Sequence, residues 1–305
     1  TLQEMLGYIL WRGLPKQKAL MLVGEGANGK STLLSIIQAL LGRENYTAIG
    51  IQELEENRFL VANLYGKLAN IRSELPSQAL KDTGIFKHLT GGDPVTADVK
   101  FGHPFTFVST AKLIFAANKL PKTPDDTNSF YRRWTIISFP YRFSENPSAG
   151  EKKANPNLAN QIIEGELSGV LNWMLDGLQR LIANNWEFSN SPTTDETRLD
   201  YIRKSNSVKA FIEDVIIVKQ GARTPKDELY RYYVKYCIKY KLNTLGDISF
   251  FKALKKNGID VDNITRPKIN GERVRIINNI ELKPYESWEK EPQDTPAESL
   301  SGTQS

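Results

Sequence analysis

The chain has 305 residues, of which 40% are hydrophobic and 25% charged, and its formal net charge is +5 at pH 7. This composition excludes a fibre or a wholly disordered chain, and the length is about that of two globular domains. Because Cys237 is the single cysteine, an intrachain disulfide and a cysteine-based zinc site are excluded, which favours a reducing, intracellular (cytoplasmic) setting.

The first part of the chain alternates short apolar segments with helical patterns. Residues 1–17 suit a short helix ending near Gly13 and Pro15. The pattern then predicts a helix at 31–41 and short strands at 19–23, 68–71, 106–108, 112–117 and 134–139. Such alternation predicts an α/β core. No apolar run approaches the roughly 20 residues needed to cross a bilayer, so we expect no membrane role.

The second part of the chain has a different pattern. A helix-rich region at about 155–190 leads into a polar stretch at 189–195, so we place a domain boundary near residue 200. Residues 201–283 read as three helices and a hairpin turning at Gly271, an order that suits a winged helix. The tail, 284–305, has too little apolar content to offset the entropy of ordering, and we expect it to be disordered.

Charge is unevenly distributed along the chain. Residues 1–200 carry 21 Lys plus Arg against 21 Asp plus Glu, whereas residues 201–280 carry 17 against 8. A solvated lysine-rich face and a surface that contacts a polyanion both account for this excess.

A glycine-rich loop between the first strand and the next helix is the most specific motif. It comprises Gly24, Glu25, Gly26, Ala27, Asn28, Gly29, Lys30 and Ser31, and it satisfies the P-loop pattern in the required context. Its backbone N–H groups and the helix N-terminus favour bound phosphate, so we expect ATP with Mg²⁺. Lys30 is expected to reach the β- and γ-phosphates and Ser31 to place its hydroxyl on Mg²⁺, with Thr32 starting the helix.

Three further candidates follow later strands. Glu74 ends one strand-like segment and is expected to hold Mg²⁺ through water and to polarise the attacking water. Asn118 ends another strand, from which its amide can reach the γ-phosphate, although a turn-forming Asn fits the same position. Arg132 and Arg133 precede a further strand and are candidates for an arginine finger supplied by a neighbouring subunit.

These motifs, in this order, resemble those of superfamily 3 helicases of the phage, plasmid and poxvirus primase-helicase type. The stretches that carry the resemblance are Gly24–Thr32, Ser73–Glu74, Phe86–Asp93, Phe115–Pro121 and the Arg132–Arg133 pair. The resemblance covers about residues 1–145, and archaeal plasmid primase-polymerase replication proteins are the nearest type. One departure is that Ser73 precedes Glu74, where many members have two adjacent acids.

The resemblance implies an AAA+-like ATPase that assembles as a ring, usually a hexamer, with ATP between subunits and single-stranded DNA in the channel. An upstream primase-polymerase domain of the same polypeptide is also implied. A hairpin that grips DNA maps onto residues 97–103, which leads us to expect DNA contacts from Lys100, Phe101 and His103. The remaining candidates for DNA contact are Lys87, Lys252, Lys255, Lys256, Arg273 and Arg275.

Two alternatives remain. An origin-binding initiator or loader, which uses ATP to assemble a ring without processive unwinding, has the same motifs. A small-molecule P-loop kinase is disfavoured by the basic C-terminal region and by the lack of an evident acceptor-site motif.

Overall fold

In a computed structural model, which describes residues 1–76, 78–240, 242, 244–269 and 272–284, the chain forms two units. Unit 1 is Thr1–Ser205, and unit 2 begins at Asn206. The boundary near residue 200 expected from sequence falls within a helix that ends at Ser205, and Tyr201 of that helix is buried in the core of unit 1. The expected disordered tail, 284–305, lies outside the described residues except for Pro284.

Unit 1 contains short helices and strands in alternation. Its helices are α1 (Leu2–Ile9), α2 (Lys30–Leu41), α3 (Ile51–Glu56), α4 (Arg58–Val61), α5 (Gly84–Gly91), α6 (Asn128–Tyr131), α7 (Leu158–Gly165), α8 (Leu167–Ala183) and α9 (Thr194–Ser205). Its strands are β1 (Ala19–Val23), β2 (Tyr46–Thr47), β3 (Ala69–Arg72), β4 (Pro94–Ala97), β5 (Phe105–Val108), β6 (Lys112–Ala117), β7 (Trp134–Ser138), β8 (Phe143–Ser144) and β9 (Lys152–Lys153).

Five strands of unit 1 form a parallel sheet in the order β2-β3-β6-β1-β7. All five residues of β1 and all six of β6 are buried, as expected when helices cover both faces of a parallel sheet. Alternate residues of β1 and β6 enter two different hydrophobic clusters, one on each face. The α/β prediction is therefore confirmed, and the structure shows that the sheet is parallel.

Each face of the sheet is covered by its own set of helices. On one face, residues of α1, α2 and α8 pack against Leu20, Leu22 and Ile114. On the other, residues of α3, α5, α6 and α9 pack against Met21 and Phe115. The β1–β6 centre of the sheet is thus shielded from water on both sides, which holds the loops after these strands in a defined position.

Two glycines bring α1 and α8 into close contact. A Cβ on Gly7 would overlap backbone atoms of Met174 and Leu178, and a Cβ on Gly177 would overlap the backbone carbonyl of Gln3. Because a neighbouring backbone cannot move aside as a flexible side chain can, both positions require the absence of a side chain.

We expect Gly177→Ala to lower the free energy of unfolding by about 1–3 kcal/mol, since the added methyl forces α1 and α8 apart. Gly169→Ala in the same helix is the matched control. No atom lies within 4 Å of its Cβ position, so that change is expected to raise stability by about 0.4–1 kcal/mol. Urea unfolding of both variants measures the difference; shifts of the same sign would contradict the packing argument.

Lys112, at the start of β6, is a cation in the interior. It is 1% exposed, its Nζ donates to the carbonyl oxygens of Trp11 and Thr110, and it lies 4.8 Å from the centre of the Tyr8 ring. Burial lowers the pKa of Lys112 from 10.5 to about 7. The unfolded chain therefore binds more protons between these two pH values, and stability rises with pH across that window.

We expect the free energy of unfolding to increase from pH 7 to pH 9 by at most about 1.4 kcal/mol per pH unit through this group. Lys112→Met removes the titrating amine and should flatten the increase. Urea titrations of the two proteins across this range measure it. Parallel pH profiles would show that Lys112 does not titrate as described.

Unit 2 contains α10 (Ser207–Val215), β10 (Ile216–Pro225), α11 (Lys226–Lys239), α12 (Asp247–Lys256), β11 (Ile264–Thr265), β12 (Lys268–Ile269), β13 (Glu272–Arg273) and β14 (Ile276–Leu282). An antiparallel sheet has the order β10-β14-β11, and β12 pairs with β13 to extend the hairpin. The three helices and the hairpin follow the predicted order. The structure adds strand β10 between α10 and α11. Its pairing partner is β14, the last strand described in the unit, so the pairing depends on residues far apart in the chain.

The predicted turn at Gly271 lies outside the described residues. Among the helices that the structure describes, none is long and apolar enough to cross a bilayer.

Candidate functional site

The glycine-rich loop connects buried strand β1 to helix α2 at the carboxyl edge of the sheet. Gly29 precedes α2 with φ 87°, and Ala27 also has a positive φ, 58°. A Cβ on Gly24 would overlap the Asn28 amide nitrogen and the Phe139 carbonyl oxygen. The loop therefore needs glycine at Gly24 for close approach and at Gly29 for its backbone conformation.

The Lys30 ammonium lies among oxygen atoms at the centre of this loop. Its Nζ donates to the carbonyl oxygens of Gly24 at 2.5 Å and Glu25 at 3.1 Å, to Asn28 Oδ1 at 3.0 Å and to Asn118 Oδ1 at 3.4 Å. Burial lowers the pKa of Lys30, and the nearby charge of Glu74 opposes this change. The oxygens that surround this buried ammonium group are uncharged, so its positive charge is not neutralised by them. The group is therefore suited to an anionic ligand.

Three chain segments meet in one pocket of about 270 Å³. Glu74 lies two residues after β3 and Asn118 directly follows β6, and both contribute to the pocket because parallel strands end at a common edge. The described residues that line it are Gly26, Ala27, Asn28, Gly29, Lys30, Ser31, Thr32, Ser73, Glu74, Ala117 and Asn118. The structure thus brings together Lys30, Ser31, Glu74 and Asn118, which are separated by up to 88 positions in sequence.

The pocket offers few oxygen ligands for a metal ion. Ser31 and Glu74 both line it, and no cluster of three or more His, Cys, Asp or Glu side chains is found in the described part of the chain. Mg²⁺ is commonly held by one or two protein oxygens together with phosphate oxygens and water, so this donor set fits Mg²⁺ accompanied by a phosphate ligand.

The two arginines of the candidate finger differ in environment. Arg133 is 6% exposed, its Nε donates to Thr90 Oγ1 at 3.0 Å, and it also donates to the Ser129 carbonyl. Burial is the main cause that lowers its pKa. Arg132 is exposed and donates to Gln17 Oε1 at 2.5 Å. Neither is among the residues that line the pocket, and Lys30 is the one cationic side chain among those described there.

The predicted hairpin after Asp93 is present as antiparallel strands β4 and β5. At its tip Phe101 is 98% exposed with φ 62°, and Lys100 Nζ lies 5.3 Å from the centre of its ring. Lys100 and His103 are exposed. Unlike these exposed residues, Lys87 is paired with a carboxylate: its Nζ lies 2.5 Å from Asp125 Oδ2.

Basic side chains of unit 2 line the surface of α12 and the hairpin. Lys252 and Lys256 of α12 are exposed, whereas Lys255 pairs with Asp262. Lys268 and Arg273 are directly opposite each other in the β12–β13 register. The other exposed cations of the hairpin region are Arg266 and Arg275. Like charges opposite each other destabilise a ladder unless an anion lies between them, which favours the polyanion interpretation.

One segment beside the loop was not predicted. Residues 139–154, here called the strap, follow β7 and contact the glycine-rich loop through backbone and amide groups. The Phe143 N–H donates to the Ala27 carbonyl at 2.7 Å, and Asn28 Nδ2 donates to the Phe139 carbonyl at 3.2 Å. Periodicity does not reveal contacts across more than 100 positions; the closely spaced aromatic residues Phe139, Tyr141 and Phe143 are the one available signal.

The region that contains these motifs matches a protein family. A family of unknown function, DUF5906, matches residues 22–133. A protein of Acanthamoeba polyphaga mimivirus named "Putative helicase" is 31% identical over 145 residues, covering 45% of this chain and 15% of that protein. A protein of African swine fever virus named "Putative primase" is 21% identical over 234 residues, covering 72% of this chain and 24% of that protein.

Among solved structures, the C-terminal region of NrS-1 in its apo A form is 14% identical, with a TM-score of 0.46, and the alignment covers 91% of this chain and 70% of that one. The chain spans about a quarter or less of the length of the two viral relatives. The chain is thus similar in sequence to viral proteins named as helicase and primase, and the matched family region contains the glycine-rich loop, Glu74, Asn118 and both arginines.

Proposed function

We propose that this chain is the ATP-hydrolysing motor region of a replicative DNA helicase of superfamily 3, with an AAA+-like P-loop core and a winged-helix DNA-binding module as unit 2. The observation that carries the proposal is the convergence of Lys30, Ser31, Glu74 and Asn118 in one pocket at the carboxyl edge of a parallel sheet. The strand order β2-β3-β6-β1-β7 supports the proposal. Strand β1, which leads into the glycine-rich loop, lies beside β6, which leads to Asn118, and β6 lies beside β3, which leads to Glu74.

In this proposal ATP binds with its phosphates in the glycine-rich loop. The backbone N–H groups of the loop and the start of α2 face the phosphates, and Lys30 exchanges its present oxygen partners for β- and γ-phosphate oxygens. Asn118 now accepts from Lys30 at 3.4 Å and lies where its amide can orient the γ-phosphate or the attacking water. Glu74 accepts a hydrogen bond from that water and takes its proton as the water oxygen bonds to the γ-phosphorus. The bond from this phosphorus to the β–γ bridging oxygen breaks in the same step, which releases ADP and inorganic phosphate.

Ser31 and Glu74, the latter through water, are the residues that would hold Mg²⁺. The ion would neutralise charge that develops on the phosphate oxygens. Because Ser73 stands where a second acid would be, the Glu74 carboxylate alone would hold the water molecules bound to Mg²⁺ and would also activate the attacking water.

Lys30 is the one cationic side chain among the described lining residues, so a second side chain that stabilises the developing charge would have to come from outside the pocket. We assign this role to Arg132, supplied by a neighbouring subunit of a ring, since it is exposed whereas Arg133 is buried and held by Thr90 and Ser129. The ring is proposed to be a hexamer, in which ATP lies between subunits.

DNA is proposed to contact the β4–β5 hairpin and unit 2. Lys100 at the hairpin tip is suited to a backbone phosphate, and the exposed Phe101 ring to an unstacked base. In unit 2, Lys252, Lys256, Arg273 and Arg275 provide the phosphate-contacting surface, with helix α12 presented to DNA. An upstream primase-polymerase domain of the same polypeptide completes the proposed assembly.

The test is ATP hydrolysis with and without single-stranded DNA, combined with displacement of a labelled strand from a forked duplex. Stimulated hydrolysis with displacement supports a helicase motor. Stimulated hydrolysis without displacement supports the origin-binding loader. An absence of ATP hydrolysis under both conditions, together with phosphate transfer to a small molecule, would overturn the proposal in favour of a kinase.

A basic residue of the unit 2 hairpin tests the DNA surface separately. Arg273→Gln is expected to weaken DNA binding at moderate salt and to reduce the slope of log affinity against log salt concentration by about 1. Lys209→Gln on α10, where Lys209 is paired with Glu213 at 3.8 Å, is the control and should leave the slope unchanged. Equal slopes for all three proteins in fluorescence anisotropy titrations would remove Arg273 from the interface.

A further inference from the structure

The strap contacts the glycine-rich loop on one particular side. In the sheet order, Glu74 and Asn118 follow β3 and β6, which lie to one side of β1, whereas the strap follows β7 on the other side. If the terminal phosphate of a bound nucleotide faces Glu74 and Asn118, as the proposed function requires, the nucleoside end extends away from these two residues. The strap borders the loop on that opposite side.

The strap is held firmly against the loop. Phe139 N–H donates to the Val23 carbonyl at 2.7 Å, and Phe143 N–H donates to the Ala27 carbonyl at 2.7 Å. These bonds join the strap to the last residue of β1 and to the middle of the glycine-rich loop. Position 143 is therefore fixed relative to the phosphate site by backbone hydrogen bonds at short range.

The strap is also braced within itself. Lys152 N–H donates to the Arg142 carbonyl at 2.8 Å, and Ala154 N–H donates to the Ser144 carbonyl at 2.9 Å. Arg142 Nε lies 3.4 Å from Glu151 Oε1, and Lys152 Nζ lies 4.0 Å from the centre of the Tyr141 ring. A loop with this bracing presents its aromatic side chains in defined positions at a low entropic cost on binding.

Phe143 is an apolar ring exposed beside the phosphate loop. It is 37% exposed, and its Cε2 would lie 4.0 Å from a Cβ on Gly29, the residue that precedes α2. A partly exposed ring next to a phosphate-binding loop suits the flat face of a nucleobase, because base–aromatic stacking buries apolar area on both partners.

We propose that the strap forms the nucleobase-binding wall of the nucleotide site and that Phe143 stacks against the base. Stacking uses the face of the base and not its hydrogen-bonding edge, so the contact accepts both purine nucleoside triphosphates, ATP and GTP. This inference rests on the proposed function, which supplies the orientation of the phosphates.

The test compares the affinities of ATP, GTP and inorganic tripolyphosphate, each with Mg²⁺, by isothermal titration calorimetry. Phe143→Ala is expected to weaken ATP and GTP by about 10-fold each and to leave tripolyphosphate unchanged, since only the nucleotides have a base to stack. Phe143→Tyr keeps the ring and should restore nucleotide affinity. Phe59→Ala, which removes a ring that is 52% exposed on α4, is the matched control and should bind all three ligands as wild type does.

A second readout does not depend on affinity. In Phe143→Trp, binding of ATP is expected to quench the added indole fluorescence, whereas tripolyphosphate is expected not to, after subtraction of the wild-type signal from the five native tryptophans.

The outcomes separate this inference from the proposed function. Unchanged ATP affinity in Phe143→Ala, or an equal loss for ATP and tripolyphosphate, overturns base stacking and leaves the phosphate site intact. Wild-type protein that binds neither ATP nor tripolyphosphate overturns the proposed function and this inference with it.

Discussion

Glu74→Gln is expected to reduce ATP turnover by about 10²–10⁴-fold while ATP affinity stays close to that of the wild type. The amide keeps the shape of the side chain, but it cannot accept the proton of the attacking water, and this is the usual size of a general-base contribution. Steady-state hydrolysis combined with calorimetric ATP binding separates the two effects. Lys30→Ala provides the contrast, because Lys30 is the cation proposed to contact the phosphates, and its loss should remove binding as well as turnover.

Glu164→Gln is the matched control for Glu74. Glu164 is an exposed residue of α7 outside the pocket, and the same loss of a carboxylate there should leave turnover unchanged. Wild-type turnover in Glu74→Gln would show that the carboxylate after β3 is not the base. A parallel loss of ATP affinity would instead assign Glu74 to binding.

Arg132→Ala is expected to reduce turnover by about 10³-fold or more, the lower end of the range for arginine fingers, without a comparable loss of ATP affinity. The Arg132 guanidinium is exposed and hydrogen-bonded to Gln17 within the same chain, so we expect it to act on the pocket of a neighbouring subunit.

Arg133→Ala is expected to affect stability. Its guanidinium is buried between Thr90 and Ser129, so removal should lower the melting temperature.

Rings assembled from a mixture of two variants test whether Arg132 acts between subunits. Subunits with Arg132→Ala and subunits with Lys30→Ala are each inactive alone, but a mixture contains interfaces in which an intact Lys30 faces an intact Arg132. Partial recovery of ATP hydrolysis on mixing is therefore expected. Arg12→Ala, which removes another exposed arginine of unit 1, controls for charge and should hydrolyse ATP as wild type does. No recovery on mixing would mean that Arg132 does not act between subunits.

The phosphate-loop candidates could be identified from sequence because each motif is local. The pattern from Gly24 to Ser31 specifies its own turn, and the apolar runs before Glu74 and Asn118 predict strands whose carboxyl ends meet at one edge of a parallel sheet. The structure places all of these residues in one pocket. The α/β architecture followed from the same alternation, since buried strands and amphipathic helices have different periods.

The features that the sequence analysis did not predict depend on contacts between residues far apart in the chain. Strand β10 has a mixed, mostly exposed pattern, and it is a strand because β14 pairs with it. The expected boundary near residue 200 is close to the division at Ser205, but it lies within α9, whose Tyr201 packs among Phe130, Tyr131 and Trp134. Polar composition alone does not show that a helix packs back on an earlier domain.

The sequence by itself determined the α/β class, the loop that suits phosphate, the basic character of residues 201–280 and the order of the motifs, because these depend on composition and on short-range periodicity. Tertiary structure decided which arginine is exposed and which is buried, that Lys87 is paired with Asp125, and that the strap with Phe143 lies against the glycine-rich loop. Adjacent residues such as Arg132 and Arg133 have the same local signal, and only the packing around them distinguishes a surface cation from an interior one.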